Sequence, residues 1–269
     1  MNDLASSLIT LHCTLDGPVA TITLDRPEVL HALNSNMFDE LERVFTALAG
    51  DPAIRVVLLT GSGERAFAAG ADIRALAETD AVSGLAASQR GHQVFALIQS
   101  QLERQGKPVI AAVNGVALGG GCELALACTL RIASEKARLG FPEVKLGLIP
   151  GYGGTQRLTR LIGRSAALRL MLSAQIVDAP EALRLGLVDD IVPAAELLPR
   201  ARAFADTIAS MAPLAIAGAL EAVERGEDKS LPEALHTEAE IFGRLCATAD
   251  KHEGLTAFLA KRPAVWQGR

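Results

Sequence analysis

The apolar run Val109–Val113 limits the fold more than any other part of the chain. A strand that is apolar at every position is covered on both faces, which is typical of the parallel sheets of α/β proteins. Val19–Leu24 and Val56–Gly61 also have the composition of strands, and residues 35–48 between them carry apolar side chains at helical spacing. This β-α-β order predicts parallel strands in an α/β fold.

Three consecutive glycines, Gly119–Gly121, lie between this strand and a helix-forming segment at residues 122–128. Glycines let a ligand approach main-chain N–H groups, and the start of a helix favours negative charge. The run therefore fits either an oxyanion hole or a tight structural turn. It fits neither a phosphate loop, which needs a following Gly-Lys-Ser/Thr, nor the G-x-G-x-x-G pattern of dinucleotide sites.

Two acidic residues stand in otherwise apolar surroundings. Glu123 lies among Gly, Cys, Leu and Ala residues, and Glu143 follows Pro142 in a second apolar stretch. Burial raises the pKa of a carboxyl group and is costly unless the group has a partner. Two such acids indicate paired acid/base chemistry on a neutral substrate, with a water between them. A structural ion pair is the alternative for each, and composition does not decide between the two.

Several longer stretches resemble the enoyl-CoA hydratase/isomerase (crotonase) family. They are residues 65–72 (RAFAAGAD), 111–128 (AAVNGVALGGGCELALAC), 141–158 (FPEVKLGLIPGYGGTQRL) and a closing segment at 253–263. These motifs occur in the family's order and span nearly the whole chain. The resemblance implies a crotonase-like spiral of β-β-α turns.

Two regions follow from the same resemblance. Residues 1–192 would form the spiral core, which binds coenzyme A and carries out catalysis. Residues 193–269 would form a helical C-terminal region that mediates trimerisation. Helix signals dominate after Pro193, including a capping box that starts at Ser230.

The resemblance also assigns the central groups of a site. Glu123 and Glu143 would be the catalytic pair, and the N–H groups of Ala71 and Gly120 would form the oxyanion hole. Hydration of an enoyl thioester builds negative charge on the thioester oxygen. Each fixed N–H donor in a dry site can stabilise that charge by about 3 to 4 kcal/mol.

Further residues would bind the substrate by resemblance: Arg65, Ala69, Gly70, Asp72, Ile73, Arg74, Gly119, Pro142, Gly151, Phe242 and Lys261. Arg65 and Arg74 are candidates for the phosphates of coenzyme A, with a solvated surface charge as the alternative for each. Phe242 and Lys261 would reach the coenzyme A bound to a neighbouring subunit.

The function that the resemblance implies is an enoyl-CoA hydratase in fatty-acid catabolism such as β-oxidation. Glu123 would act as the base on water and Glu143 as the acid toward Cα. The alternatives are a Δ3,Δ2-enoyl-CoA isomerase, which needs a single acid/base group, and a hydratase for a branched or dicarboxylic substrate such as methylglutaconyl-CoA. A module that only binds acyl-CoA would be expected to lack one of the acids or the hole glycines. Residues 76–105, which line the acyl end in the family, leave the chain length open.

Composition and charge indicate the partners and the location to expect for this protein. The formal net charge of -5 argues against nucleic acid as the main partner, and four scattered cysteines with no C-x-x-C pattern indicate reduced thiols. Residues 1–10 lack the features of a secretory or transit signal, and no apolar run approaches the roughly 20 residues that span a bilayer. We therefore expect a cytoplasmic homotrimer or dimer of trimers that acts on an acyl-CoA thioester. No metal is expected, and no cofactor apart from the coenzyme A of the substrate itself.

Overall fold

The computed structural model describes residues 7–269, and these residues contain ten strands. They are β1 (Leu11–Asp16), β2 (Val19–Leu24), β3 (Val56–Gly61), β4 (Ala66–Ala68), β5 (Val109–Val113), β6 (Val116–Leu118), β7 (Leu130–Ser134), β8 (Arg138–Gly140), β9 (Ile176–Asp178) and β10 (Asp190–Val192). A six-stranded sheet has the order β1-β2-β3-β5-β7-β10, and a four-stranded sheet has the order β4-β6-β8-β9. Pairing is parallel except between β1 and β2 and between β8 and β9.

The same residues form eleven α-helices. They are α1 (Ser35–Gly50), α2 (Ile73–Ala77), α3 (Ala81–Leu97), α4 (Gly120–Ala127), α5 (Gly154–Ile162), α6 (Arg164–Ser173), α7 (Ala179–Leu185), α8 (Leu197–Ala209), α9 (Pro213–Gly226), α10 (Leu231–Cys246) and α11 (Ala249–Leu259). Three successive strand pairs, β3/β4, β5/β6 and β7/β8, each place the first strand in the large sheet and the second in the small one. Helices follow each pair, so the predicted spiral of β-β-α turns is confirmed.

Strand β5 is buried on both faces, as its sequence predicts. Val109, Ala111 and Val113 point into the larger hydrophobic core, which also holds the apolar face of α1. Ile110 and Ala112 point to the opposite face, which α8 covers. This double cover fixes the end of β5, and with it the turn that leads through β6 to the glycine run.

One helix follows its local sequence closely and another departs from it. Helix α1 begins after Asn34, whose Oδ1 accepts a hydrogen bond from the N–H of Met37 at 3.0 Å, as a capping residue should. The sequence after Gly84 predicts a regular helix that reaches Glu103, but α3 begins earlier, at Ala81, and is regular only to Leu97. It continues as a π-helical turn over Ile98–Leu102 and a 3₁₀ turn to Gln105.

The C-terminal helices leave large apolar side chains on the surface of the single chain. Phe242 is 69% exposed and Phe258 is 80% exposed. Helix α8 differs because it packs on the six-stranded sheet. The division of the chain between residues 192 and 193 stays a prediction.

Within residues 7–269, no single helix has both the length and the apolar composition needed to cross a membrane. One helix pair, Ala194–Ala209 with Pro213–Gly226, meets the length and composition criteria only when taken together, and it is bent by 103° at the break.

Candidate active site

A cavity of about 560 Å³ lies where the glycine run, the segment after β4 and helix α3 meet. Both predicted catalytic acids, Glu123 and Glu143, line it, together with Ala71 and Gly120, the predicted hole residues. Six of the predicted substrate-binding residues line it as well: Ala69, Gly70, Ile73, Gly119, Pro142 and Gly151. The fold thus gathers residues that are up to about 80 positions apart in the chain.

Glu123 is buried in the first turn of α4, with 1% of its surface exposed. Its Oε1 accepts hydrogen bonds from the N–H of Tyr152 at 2.7 Å and from the N–H of Gly154 at 2.6 Å. Burial raises the pKa of Glu123 to about 7, and the two amide donors oppose that rise without cancelling it. A carboxyl group with this pKa can exchange a proton near neutral pH.

Glycine is needed at the start of α5 to allow this contact. A Cβ atom on Gly154 would lie 2.9 Å from Glu123 Oε1, so any side chain there would push the carboxylate away. As the first residue of α5, Gly154 also has an N–H without an acceptor inside the helix, and the helix start favours a negative partner.

Glu143 begins a single 3₁₀ turn, Glu143–Leu146. Its Oε2 is buried and has no hydrogen-bond partner among residues 7–269. Burial raises the pKa of this carboxyl group also. Its Oε1 lies against the glycine run, since a Cβ atom on Gly119 would be 2.8 Å away from it. A buried oxygen with no partner in a cavity wall is suited to exchange a proton with a bound molecule.

The main chain around Ala71 is held by a parallel bridge to Leu33. The N–H of Leu33 donates to the carbonyl of Gly70 at 2.8 Å, and the N–H of Asp72 donates to the carbonyl of Leu33 at 2.9 Å. The N–H of Ala71, between these two, takes no part in the bridge. Gly120 is the first residue of α4, so its N–H has no acceptor within that helix.

The two candidate hole segments are adjacent in space. Gly70 has a φ of +105°, which favours glycine, and a Cβ atom placed on it would lie 3.8 Å from the Gly120 nitrogen. Two main-chain N–H groups without bridge or helix partners therefore lie in neighbouring segments of one cavity wall. This arrangement suits an oxyanion hole, although that role remains a prediction for Ala71 and Gly120.

Five of the predicted substrate-binding residues lie outside the cavity wall. Arg65 and Arg74 are exposed, and Phe242 and Lys261 lie exposed on or after the C-terminal helices. The carboxylate of Asp72 caps α2 through the N–H of Arg74, at 3.2 Å. Their contacts with coenzyme A stay predictions, and those of Phe242 and Lys261 require a neighbouring subunit.

Sequence reasoning missed Arg26, which joins the two sides of the Leu33 bridge. Its guanidinium donates to the carbonyl of Ala32 at 2.5 Å and pairs with the carboxylate of Asp72 at 3.1 Å. Only the Asp25-Arg26-Pro27 turn marks this residue in the sequence, and nothing in that turn points to Asp72.

Sequence reasoning also missed Tyr152 as part of the site. Besides its N–H donation to Glu123, its ring packs edge-on against Phe38, with centroids 5.2 Å apart, and its carbonyl accepts from Arg157 at 3.0 Å. A Cβ atom on Gly120 would lie 2.9 Å from this ring. The glycine turn around residue 152 was the signal that could have drawn attention to it.

Together these groups support proton transfer beside a polarised carbonyl group. Buried Glu123 and half-buried Glu143, both with raised pKa values, share the cavity with two candidate N–H donors. Residues 7–269 contain no cluster of three or more His, Cys, Asp or Glu side chains that could hold a metal ion.

Comparison with known proteins places the chain in a family. The sequence model described as Enoyl-CoA hydratase/isomerase matches residues 15–269. The chain therefore belongs to the enoyl-CoA hydratase/isomerase family, and the resemblance read from its motifs is confirmed.

Individual relatives agree with this membership. The chain is 45% identical over 247 residues to the short-chain-enoyl-CoA hydratase of Clostridium acetobutylicum, covering 92% of this chain and 93% of that one. It is 42% identical over 251 residues to the 2,3-dehydroadipyl-CoA hydratase of Escherichia coli, covering 93% and 96%. The crystal structure of the enoyl-CoA hydratase from Bacillus anthracis superposes with a TM-score of 0.93 at 37% identity, covering 97% of this chain and all of that one.

Proposed function

We propose that this protein is an enoyl-CoA hydratase, a lyase that adds water across the double bond of a trans-2-enoyl-CoA to give a 3-hydroxyacyl-CoA. The observation that carries the proposal is that one cavity wall contains the buried carboxyl group of Glu123 and the half-buried Glu143, whose Oε2 is buried. The hydratases among its relatives support the same reaction.

In this reaction the two glutamates have complementary tasks. Ionised Glu123 takes a proton from water as the water oxygen bonds to C3, and protonated Glu143 delivers a proton to C2. The negative charge that develops on the thioester oxygen is stabilised by the N–H groups of Ala71 and Gly120. The active form therefore needs Glu123 ionised and Glu143 protonated at the same time.

The second candidate function is a Δ3,Δ2-enoyl-CoA isomerase. Isomerisation moves one proton within the substrate, so a single carboxyl group is sufficient. The retention of two buried acids favours hydration. A module that only binds acyl-CoA is disfavoured for the same reason, since burial of both acids would be costly without a chemical role.

The setting of the reaction is also part of this proposal. We expect an acyl-CoA thioester as substrate, catabolism of fatty acids by β-oxidation or a related route, a cytoplasmic location, and a trimer or a dimer of trimers. The exposed apolar side chains of the C-terminal helices support assembly, because large apolar patches are normally covered by a partner.

A purified-protein assay tests the proposal. We expect the protein to remove the conjugated absorbance of crotonyl-CoA and to release 3-hydroxybutyryl-CoA. Efficient conversion of trans-3-hexenoyl-CoA to the 2-enoyl product, with no hydration of any 2-enoyl-CoA, would instead identify the isomerase.

A further inference from the structure

One face of α3 forms the cavity wall that leads away from the glutamates. Ala81, Gly84, Leu85 and Ser88 have the spacing i, i+3, i+4 and i+7 of a single helix face, and all four line the cavity. Ser88 marks the end near the glutamates, because its Oγ donates to the carbonyl of Gly151 at 2.5 Å, next to the residue that donates to Glu123. At 1.5 Å per residue, Leu85 lies about 4.5 Å further along the helix.

Apolar side chains dominate this part of the cavity. Leu146, Leu148 and Ile149 line it from the segment that follows Glu143. Leu85 is 61% exposed and Ile149 is 69% exposed although both belong to the cavity wall. A hydrocarbon chain bound against this wall would remove this apolar surface from water, at about 25 cal/mol per Å².

The charged groups of the cavity wall are all acidic. Besides the two glutamates, the wall contains Asp80, whose carboxylate accepts hydrogen bonds from the N–H and the hydroxyl of Ser83 at 2.8 and 2.6 Å. Among the residues of 7–269 that line the cavity there is no lysine, arginine or histidine. Arg157 is near Glu123 but donates to the Tyr152 carbonyl and lies outside the wall.

We propose that this cavity selects enoyl-CoA thioesters with an uncharged hydrocarbon acyl chain and rejects those whose chain ends in a carboxylate, with Leu85 as the specificity-determining position. The inference rests on the proposed hydratase function and names the substrate class of the same site. This preference distinguishes two substrate classes that overall sequence similarity does not distinguish. Relatives named for a short-chain substrate and for a dicarboxylic substrate are about equally similar to this chain.

The physical reason is the cost of an unpaired charge. A terminal carboxylate a few carbons beyond the reacting double bond would lie against an apolar wall, lose part of its hydration and find no lining cation to pair with it. It would also approach a third carboxylate at Asp80, and like-charge juxtaposition adds to the cost. We expect discrimination on the order of 10²-fold in kcat/KM.

The experiment compares trans-2-hexenoyl-CoA with 2,3-dehydroadipyl-CoA, which has the same number of acyl carbons but a terminal carboxylate. The kcat/KM values are measured for the wild type, for Leu85→Arg and for Leu85→Gln, which is polar and of similar size but uncharged. Leu172→Arg adds the same charge at an exposed leucine of α6 outside the cavity. Calorimetric binding of hexanoyl-CoA and adipyl-CoA, the saturated counterparts, gives a readout independent of turnover.

We expect the wild type to prefer hexenoyl-CoA by on the order of 10²-fold, and Leu85→Arg to shift the ratio toward the dicarboxylic substrate by at least about tenfold. Leu85→Gln and Leu172→Arg should leave the dicarboxylic substrate poor. Comparable turnover of both substrates by the wild type, or equal ratios in Leu85→Arg and Leu85→Gln, would overturn the inference. If neither substrate nor crotonyl-CoA is hydrated, the proposed function fails, and the ratio of the two binding constants then decides the inference alone.

Discussion

Glu123 accepts a hydrogen bond from the N–H of Gly154, 2.6 Å away and 31 residues further along the chain. The contact joins an acid in the first turn of α4 to the first residue of α5. It holds the carboxylate in place while burial keeps its pKa near 7. The protein therefore holds in a fixed position a carboxyl group that can exchange a proton near neutral pH.

The raised pKa of Glu123 predicts a pH-dependent loss of stability. A carboxyl group whose folded pKa exceeds its unfolded value near 4.5 stabilises the fold below pH 4.5 and loses that contribution as the pH rises through about 7. Relative to Glu123→Gln, which does not titrate, the wild type should lose up to about 3 kcal/mol of unfolding free energy between pH 5 and pH 8. Urea denaturation of both proteins at equal concentration measures this difference. A pH-independent difference between the wild type and Glu123→Gln would contradict the assignment.

A side chain at Gly120 should disable the proposed oxyanion hole. Its Cβ atom would lie 2.9 Å from the Tyr152 ring and 3.3 Å from Leu33 Cδ1, so Gly120→Val must displace one of these or move its own N–H. We expect kcat to fall by about 10²- to 10³-fold with the fold retained. Gly50→Val is the matched control, since a Cβ atom there meets no atom within 4 Å and the residue lies outside the cavity. Near-normal turnover by Gly120→Val would place the hole elsewhere.

Arg26 should act as a positioning residue for Ala71. Its guanidinium joins the carbonyl of Ala32 to the carboxylate of Asp72, on the two sides of the bridge that flanks Ala71. Arg26→Ala should lower kcat by about 10- to 10²-fold, because small displacements of a catalytic group are costly, with a smaller change in KM. Arg26→Lys, which keeps the charge, should recover part of kcat. Equal loss in both variants, explained by reduced stability alone, would argue for a purely structural role.

The exposed apolar side chains of α9 to α11 predict assembly. Val223 in α9, Phe242 in α10 and Phe258 in α11 are each at least 69% exposed in the single chain. Light scattering at micromolar concentration should give the mass of a trimer or a hexamer. A Phe258→Asp substitution should shift the population toward smaller species, whereas a monomeric wild type would contradict the prediction.

Features of the fold and site that depend on neighbouring residues can be predicted from the sequence. The all-apolar run of β5 depends only on neighbouring residues, so its pattern is sufficient to predict a strand buried on both faces. Glu123 stood out because a lone acid among apolar residues needs a reason. The family resemblance also predicts that Ala71 and Gly120 belong to one site, although they are far apart in the chain.

Contacts between segments that are distant in the chain cannot be predicted from the sequence in the same way. Arg26 and Asp72 are 46 residues apart, and only the bridge at Leu33 brings them together. The amides of Tyr152 and Gly154 reach Glu123 across a turn whose glycines were visible but whose direction was not. The π-helical turn after Leu97 has no local signature, because its side chains are also compatible with a regular helix.

Hydration by the glutamate pair is the central claim, and one measurement tests it most directly: the rate of loss of the conjugated absorbance of crotonyl-CoA with wild-type protein, Glu123→Gln and Glu143→Gln. If both carboxyl groups act on the water and on Cα, each substitution should lower kcat by on the order of 10²- to 10⁴-fold with little change in substrate binding. A wild type that hydrates no 2-enoyl-CoA, or a Glu123→Gln variant that hydrates crotonyl-CoA at the wild-type rate, would contradict the account.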